Sequence, residues 1–275
     1  MRARELGRRA VVVGDNVRLV GDVGGGTDAL ARIVRVDERK SVLRRTADDD
    51  DPVERIVVAN ADQLVIVTAL ADPPPRPRLI DRCLVAAFDA HLDPLLCLTK
   101  ADLADPGELL AAYAPLGVSA VVTSREHLDD DIATLRERLS GRISVMVGHS
   151  GVGKSTLVNR LVPDADRAIG AVSDLTGRGR HTSSSAVALA LPGGGWIVDT
   201  PGIRSFGLAH VAPETVLAAF PDLAPAAADC PPGCTHAVDA PGCALPGHVA
   251  AGHAEPARLE SLRRLLAARD RTADD

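Results

Sequence analysis

The sequence predicts a multi-domain α/β protein. A small N-terminal β-barrel of the OB type precedes a central, mostly parallel sheet with helices on both faces, and a C-terminal helical unit follows. Three observations carry that reading. Five short β-branched runs crowd residues 10 to 60. From residue 62 onward, continuous apolar runs alternate with helical stretches, and one run opens into the glycine loop Gly148, His149, Ser150, Gly151, Val152, Gly153, Lys154, Ser155. Three of the five cysteines fall between residues 230 and 243 with a histidine among them, which marks the C-terminal unit as metal-binding. The implied boundaries are 1–60 for the barrel, 61–209 for the sheet domain and 210–275 for the C-terminal unit.

At 275 residues the chain has room for a main core and one or two smaller units. Its hydrophobic fraction of 46% and charged fraction of 25% are those of a soluble globular protein. Aromatic residues at 2% mean cores of Val, Leu, Ala and Ile, with few platforms for stacking bases. Met1 to Glu5 opens a polar segment unlike a signal peptide, and no run nears the ~18 apolar residues of a membrane span, so a cytoplasmic location is expected. In that reducing compartment clustered cysteines favour metal over disulfide, whereas Cys83 and Cys97, alone in apolar runs, read as buried thiols. A net charge of −6 argues against non-specific nucleic-acid binding. Residues 1–46, however, hold eleven Arg and Lys against six Asp and Glu, which leaves the remainder at about −11 by difference.

The five N-terminal strands are predicted over 10–13, 16–20, 30–36, 41–43 and 55–59, with turns at Gly14 and Asp15, at 21–26 and at the acidic run 48–52. Arg18, Arg32, Arg35, Arg39, Lys40, Arg44 and Arg45 would decorate this barrel. Contact with RNA phosphates and a solvated basic surface both account for them.

Gln63 to Ala69 is an apolar run of the kind buried on both faces of a parallel sheet. The prolines at 73, 74, 75 and 77 break it, a helix is predicted over 79–90, and 94–98 is a second buried strand ending in Thr99, Lys100, Ala101 and Asp102. This Thr-Lys-x-Asp resembles the Asn-Lys-x-Asp guanine-reading motif of GTPases. Guanine offers an N1–H and a 2-amino donor side by side, so its reader must be an acceptor-only carboxylate, and Asp102 fits that task. Lys100 can lay its aliphatic stem over the base. A strand over 118–122 ends in Thr123 and Ser124, where such GTPases direct a backbone N–H at the guanine O6, and a helix is predicted over 130–139.

The loop from Gly148 to Ser155 is a complete Walker A motif, between an apolar strand over 142–147 and a helix over 155–162. Its glycines let successive N–H groups face a phosphate, Lys154 reaches the β/γ-phosphates, Ser155 can ligate magnesium, and Thr156 continues the anion-binding helix N-terminus. The following stretch, 169–182, is polar, glycine-bearing and long, as functional loops are. A hairpin over 184–191 and 196–198 then ends in Asp199, Thr200, Pro201 and Gly202. In this Asp-x-x-Gly the Asp would hold magnesium through water and the Gly N–H would meet the γ-phosphate. Thr182 stands where a first switch supplies its magnesium-sensing threonine. Ile203 occupies the place of the glutamine that orients the attacking water in Ras-type enzymes, and an isoleucine cannot hold water. His181, one residue before Thr182, is the nearest titratable candidate for that task, and shaping the loop or contacting rRNA is its alternative role.

Ordinary GTPases run Walker A, switch threonine, Asp-x-x-Gly and then the guanine motif, whereas here the guanine motif comes first. The sheet can be the same with its connections cut and rejoined, because the base-reading turns need only stand beside the phosphate loop in space. The chain is therefore read as a circularly permuted GTPase. With the N-terminal barrel, the segment Gly177 to Thr182 and the cysteine cluster, it resembles the RsgA family of small-ribosomal-subunit-dependent bacterial GTPases over nearly all of residues 10 to 265. That resemblance implies GTP and GDP as ligands, magnesium, hydrolysis stimulated by the small (30S) subunit in late subunit maturation, and contact with its rRNA. A monomer with no membrane contact is expected.

Cys230, Cys234, His236 and Cys243 offer three thiolates and an imidazole, a closed tetrahedral set for one zinc that stabilises a segment too small to fold on its own core. They match the Cys-Cys-His-Cys set of the family, with three residues between the first two cysteines where four are usual and six after the histidine where five are usual. His248 and His253 are reserve ligands or surface histidines. The helix predicted over 256–271 sets Leu259, Leu262, Leu265 and Leu266 against Arg258, Arg263, Arg264 and Arg269, which read as a solvated face or an RNA contact. Two other classes remain open: a P-loop ATPase or kinase, which Asp102 argues against, and a zinc-stabilised RNA-binding nucleotide switch with little turnover.

Overall fold

A computed structural model describes residues 11–24, 31–46, 54–163, 165, 186–200, 206, 208 and 211–270. The N-terminal unit pairs β1 (Val17–Gly21) with β2 (Ala31–Val36), and β3 (Val42–Thr46) with β4 (Glu54–Ala59), both antiparallel. Among the described residues of the first expected strand, Val13 forms a parallel bridge to Val58. Among the described residues the unit is thus two ribbons joined at one bridge. Its polar clamp is Asp15, whose fully buried carboxylate takes a two-pronged ion pair from Arg39 at 2.6 and 2.8 Å and the Val12 N–H at 2.8 Å. Burial alone would raise the Asp15 pKa, but the Arg39 and Val12 hydrogen bonds and the Arg39 charge outweigh it and hold the group below the ordinary carboxylate value. Arg39 is therefore a structural residue of this unit, not part of a basic decoration. Arg18 and Arg35, by contrast, are exposed and share Asp37 Oδ1 at 3.2 and 3.3 Å.

The central sheet has six strands in the order β7-β6-β5-β8-β10-β9. They are β5 (Gln63–Ala69), β6 (Asp93–Thr99), β7 (Ser119–Val122), β8 (Ile143–Gly148), β9 (Val187–Ala190) and β10 (Trp196–Asp199), and all neighbours run parallel except the hairpin β9–β10. β5 is buried along its whole length, and its side chains divide by the strand period of two. Leu64 and Ile66 join the cluster under α1 (Pro77–Asp89) and α2 (Gly107–Tyr113), a helix beyond those the sequence patterning marks. Val65, Val67 and Ala69 join the cluster under α3 (Leu128–Leu139) and α4 (Lys154–Leu161). The connection leaving β5 therefore turns to one face and that leaving β8 turns to the other. Adjacent parallel strands with diverging exits open a crevice at their C-terminal ends, the usual ligand position in such sheets.

The C-terminal unit comprises α5 (Pro213–Ala218), α6 (Leu245–Ala250) and α7 (Pro256–Asp270), with the cysteine loop between α5 and α6. Leu259, Leu262, Leu265 and Leu266 of α7 bury in the same cluster as Ile80 and Leu84 of α1, each contributing about 1.5–3 kcal/mol. Three α7 arginines overturn the reading of a solvated or RNA-facing surface. Arg258 chelates Asp222, with Nη2 to Oδ1 at 2.7 Å, donates to the Pro115 carbonyl and lies 5.1 Å from the Phe220 ring centroid. Arg264 reaches the buried Asp81 at 3.1 Å and stacks over Tyr113 at 4.9 Å. Arg263 donates to the carbonyls of His236 and Ala237 at 3.1 and 3.4 Å. All three fasten the helix inward.

Candidate functional site

The crevice between β5 and β8 holds the phosphate loop. Gly148 ends β8 opposite Val67 of β5, so close that a Cβ there would stand 2.5 Å from the Val67 carbonyl oxygen. Gly153 adopts φ +91° as the residue before α4, a left-handed turn that lets the next N–H groups converge on the helix start. Ser155 and Thr156 lie exposed on the first turn of α4, Val152 is buried beneath the loop, and His149 Nδ1 is 2.9 Å from the Ser150 carbonyl oxygen. Lys154 forms a mostly buried ion pair with Asp199 at the end of β10, while the Thr200 hydroxyl donates to the Met146 carbonyl at 2.9 Å. The two residues expected to meet phosphate and magnesium thus already face each other. An anion that drew Lys154 away would leave Asp199 a mostly buried carboxylate in need of another positive charge.

The expected base-reading residues stand on neighbouring strand ends. Thr99, 4% exposed, donates its hydroxyl to the Val152 carbonyl at 2.6 Å, joining the guanine motif to the phosphate loop. Lys100, at φ 62°, donates through Nζ to the Asp72 carbonyl. That bond holds its aliphatic stem stretched between the β5 and β6 exits. The Ala101 N–H donates to the Thr123 carbonyl at 3.1 Å, tying the motif to the turn after β7. Asp102 is exposed and accepts the Arg125 N–H at 3.1 Å.

The main-chain donors of the turn after β7 have partners within the protein. The Thr123 N–H donates to Leu98 O at 2.7 Å, and the Ser124 N–H donates to Asp131 Oδ2 at 2.8 Å, so both are engaged within the protein. The Arg125 N–H is held by Asp102 itself and would come free only if that carboxylate turned to another donor. Arg125, Asp131 and Asp72 escape sequence reasoning because each acts through a main-chain group or as a brace. Only the placement of Asp131 in the first turn of α3 is a signal visible in the sequence. His181, Thr182 and Gly202 lie outside the described residues.

The second constellation is Cys230, Cys234, His236 and Cys243, whose ligand atoms all lie within 4.8 Å of one another. His236 presents Nδ1 to Cys230 and Cys243 sulfur at 3.8 and 3.7 Å, and the Ala244 N–H donates to Cys230 Sγ at 3.2 Å. Burial lowers the His236 pKa, which favours the neutral ring a metal needs. Burial also pushes the Cys243 thiol to about 11, so its thiolate requires a nearby positive charge. A soft divalent cation fits this donor set. His248 is engaged elsewhere, with Nε2 2.9 Å from the Asp222 carbonyl oxygen, and is not part of the cluster.

Comparison with known proteins bears on the same residues. The RsgA GTPase family model matches residues 36–209. The chain is 39% identical to the small ribosomal subunit biogenesis GTPase RsgA of Chlorobaculum parvum, over 94% of this chain and 86% of that protein. It is 40% identical to the protein of the same name from Pseudomonas fluorescens, over 94% and 75% of the two chains. The crystal structure of YjeQ from Thermotoga maritima superposes with a TM-score of 0.69 at 28% identity, covering 97% of this chain and 87% of that one. YloQ, a circularly permuted GTPase, superposes with a TM-score of 0.64 at 24% identity, over 94% and 80% of the chains, and shares the fold. Matched by the family model over well over half its length, and by relatives near 40% identity over almost all of it, the chain belongs to the RsgA family and is a GTP hydrolase.

Proposed function

We propose that this protein binds the small ribosomal subunit and its rRNA and hydrolyses GTP to GDP and phosphate when docked there, in late maturation of the subunit. The observation that carries the reading is the Thr99 to Val152 hydrogen bond, which fastens a guanine-reading strand end to a phosphate loop. The ribosomal partner is supported by the names of the relatives, each a small ribosomal subunit biogenesis GTPase.

In this mechanism the loop Gly148, His149, Ser150, Gly151, Val152 and Gly153 wraps the phosphates. Lys154 leaves Asp199 for the β/γ-phosphates, and Thr156 supports the helix N-terminus. Magnesium would be held by Ser155 and Thr182, with Asp199 acting through water, and would supply neutralisation of charge on the phosphate oxygens. Gly202 offers its N–H to the γ-phosphate, and His181 positions the attacking water. Asp102 accepts from the two guanine donors, the Arg125 N–H serves O6, and the Lys100 stem covers the base beside Thr99 and Ala101. Thr123 and Ser124 shape the turn. One zinc binds Cys230, Cys234, His236 and Cys243. The domains are 1–60, 61–209 and 210–275, a division supported by the strand break between Ala59 and Gln63 and by the start of α5 at Pro213. The protein works as a cytoplasmic monomer. Separately, no helix among the described residues is long and apolar enough to cross a membrane. GTP turnover measured against small-subunit concentration, with ATP as the competing substrate, tests the reading.

A further inference from the structure

The N-terminal ends of the parallel strands β5, β6 and β7, at the opposite end of the sheet from the phosphate loop, line a cavity of about 310 Å³. Strand alternation builds its wall. Gln63 stands opposite Asp93 and Leu95 opposite Ser119 on neighbouring strands, and the period of two puts all four on the face that packs under α3. Leu116 and Val118, ahead of β7, add apolar surface. Arg138, in the last turn of α3, and Arg142, just before β8, bring positive charge. The frame is braced, because Asp62 accepts the Ile143 N–H through its carboxylate at 2.8 Å and the Asp93 N–H through its carbonyl at 3.0 Å.

The polar groups of this cavity are not spent on one another. Gln63 is 6% exposed, and its amide oxygen accepts the Ser144 hydroxyl at 3.3 Å. Its amide nitrogen has no hydrogen-bond partner among the described residues, which leaves a nearly buried donor in the cavity wall of a kind that folded proteins normally satisfy. Arg138 is exposed and also has no partner among the described residues. The negative end of α3 favours a cation at that position but leaves the guanidinium fork open. Arg142 is paired through Nη1 with Oδ2 of the exposed Asp93 at 2.7 Å. Two arginines against one aspartate leave the cavity an excess of one positive charge.

We propose that this cavity is a binding site for a small organic carboxylate, with the carboxylate on Arg138 and the Gln63 amide and an apolar body against Leu95, Leu116 and Val118. A guanidinium fork takes both oxygens of a carboxylate, and a single negative charge matches the excess. A phosphate monoester, at about 1.5 to 2 negative charges near neutrality, overshoots it. The volume lies at the small end of ligand sites, which limits the apolar body to about one ring. Strand β6 runs from Asp93 at the cavity to Thr99 at the nucleotide crevice, roughly 20 Å at about 3.3 Å per residue, so the carboxylate and a nucleotide bind together.

The test titrates the full-length protein with benzoate and with benzamide, its uncharged counterpart, before and after saturation with GDP, while the amide signals of Gln63, Ser119 and Arg142 are followed by NMR. Saturable shifts at these positions are expected at millimolar probe, with benzoate about tenfold tighter than benzamide in both nucleotide states. Arg138→Gln should abolish that preference and keep GDP affinity within about twofold, since the side chain is exposed and remote from the nucleotide. Phenyl phosphate should bind more weakly than benzoate, and binding as tight or tighter overturns the assignment of a monoanion. Equal affinity for benzoate and benzamide in the parent overturns the proposal, and so does displacement of benzoate by GDP, an absence of shifts at Gln63, or a preference that survives Arg138→Gln. The comparison of the two probes needs only the parent, so it decides the matter even where the variant fails to fold.

Discussion

Replacing Thr99 by valine keeps the shape of the side chain and removes one hydroxyl. That hydroxyl is the donor 2.6 Å from the Val152 carbonyl, and Val152 is 3% exposed, so water has little access to replace it. Leaving a buried acceptor without a partner costs about 1–3 kcal/mol. The cost can fall in two places. If the phosphate loop keeps its conformation, the loss appears as reduced stability, about 2–4 °C in Tm per kcal/mol for a domain of this size. If the empty loop relaxes to hydrate the carbonyl, the same energy must be supplied when nucleotide restores it, and GDP affinity falls by about tenfold for each 1.4 kcal/mol. Titration with a fluorescent GDP analogue and thermal unfolding of the nucleotide-free protein together capture both. Thr99→Asn, whose amide can donate to the same carbonyl, should retain most of the parent's behaviour. A Thr99→Val protein with unchanged GDP affinity and unchanged Tm would refute the claim that this bond joins the base and phosphate sites.

Four further outcomes are expected. Asp102→Asn converts one acceptor to a donor and should erode GTP-over-ATP selectivity by about 1–3 kcal/mol, read from competitive binding of the two nucleotides. Chelation should remove one zinc per chain and unfold the cysteine loop while GDP still binds, as followed by metal analysis and nucleotide titration. Should His181 position the water, His181→Ala would keep GTP and subunit binding and lose stimulated hydrolysis; normal hydrolysis would remove His181 from the mechanism. The pKa of Asp15 is depressed in the fold, so its stabilising contribution is present above the ordinary carboxylate value and is lost as pH falls through the lower folded value. Asp15→Asn should therefore be less stable than the parent near neutrality, and the difference should shrink below about pH 4 in acid unfolding curves.

Much of the fold was legible where one physical requirement dominates a stretch of chain. Strand β5 could be read because burial on both faces demands an unbroken apolar run, and the phosphate loop because its left-handed turn demands glycine at 153. The cysteine cluster was legible because thiolates and an imidazole have little other reason to sit together. The α7 arginines were misread because helical periodicity reports which face is apolar, not what the charged residues meet. Arg258, Arg263 and Arg264 find carbonyls and carboxylates on other elements, and those partners are set only by the tertiary fold. Arg39 escaped for the same reason, as its partner Asp15 lies 24 residues away in sequence. Main-chain donors such as the Arg125 N–H carry no side-chain signature at all.

On the function proposed above, one site reads guanine, holds a triphosphate and turns over in response to the small ribosomal subunit. Steady-state phosphate release at saturating GTP, titrated with purified small subunits and repeated with ATP, tests it most directly. Release should be slow without subunits and rise saturably as they are added, with no comparable rise with ATP. A GTP rate that stays flat across the titration, or an equal rise with ATP, would contradict it.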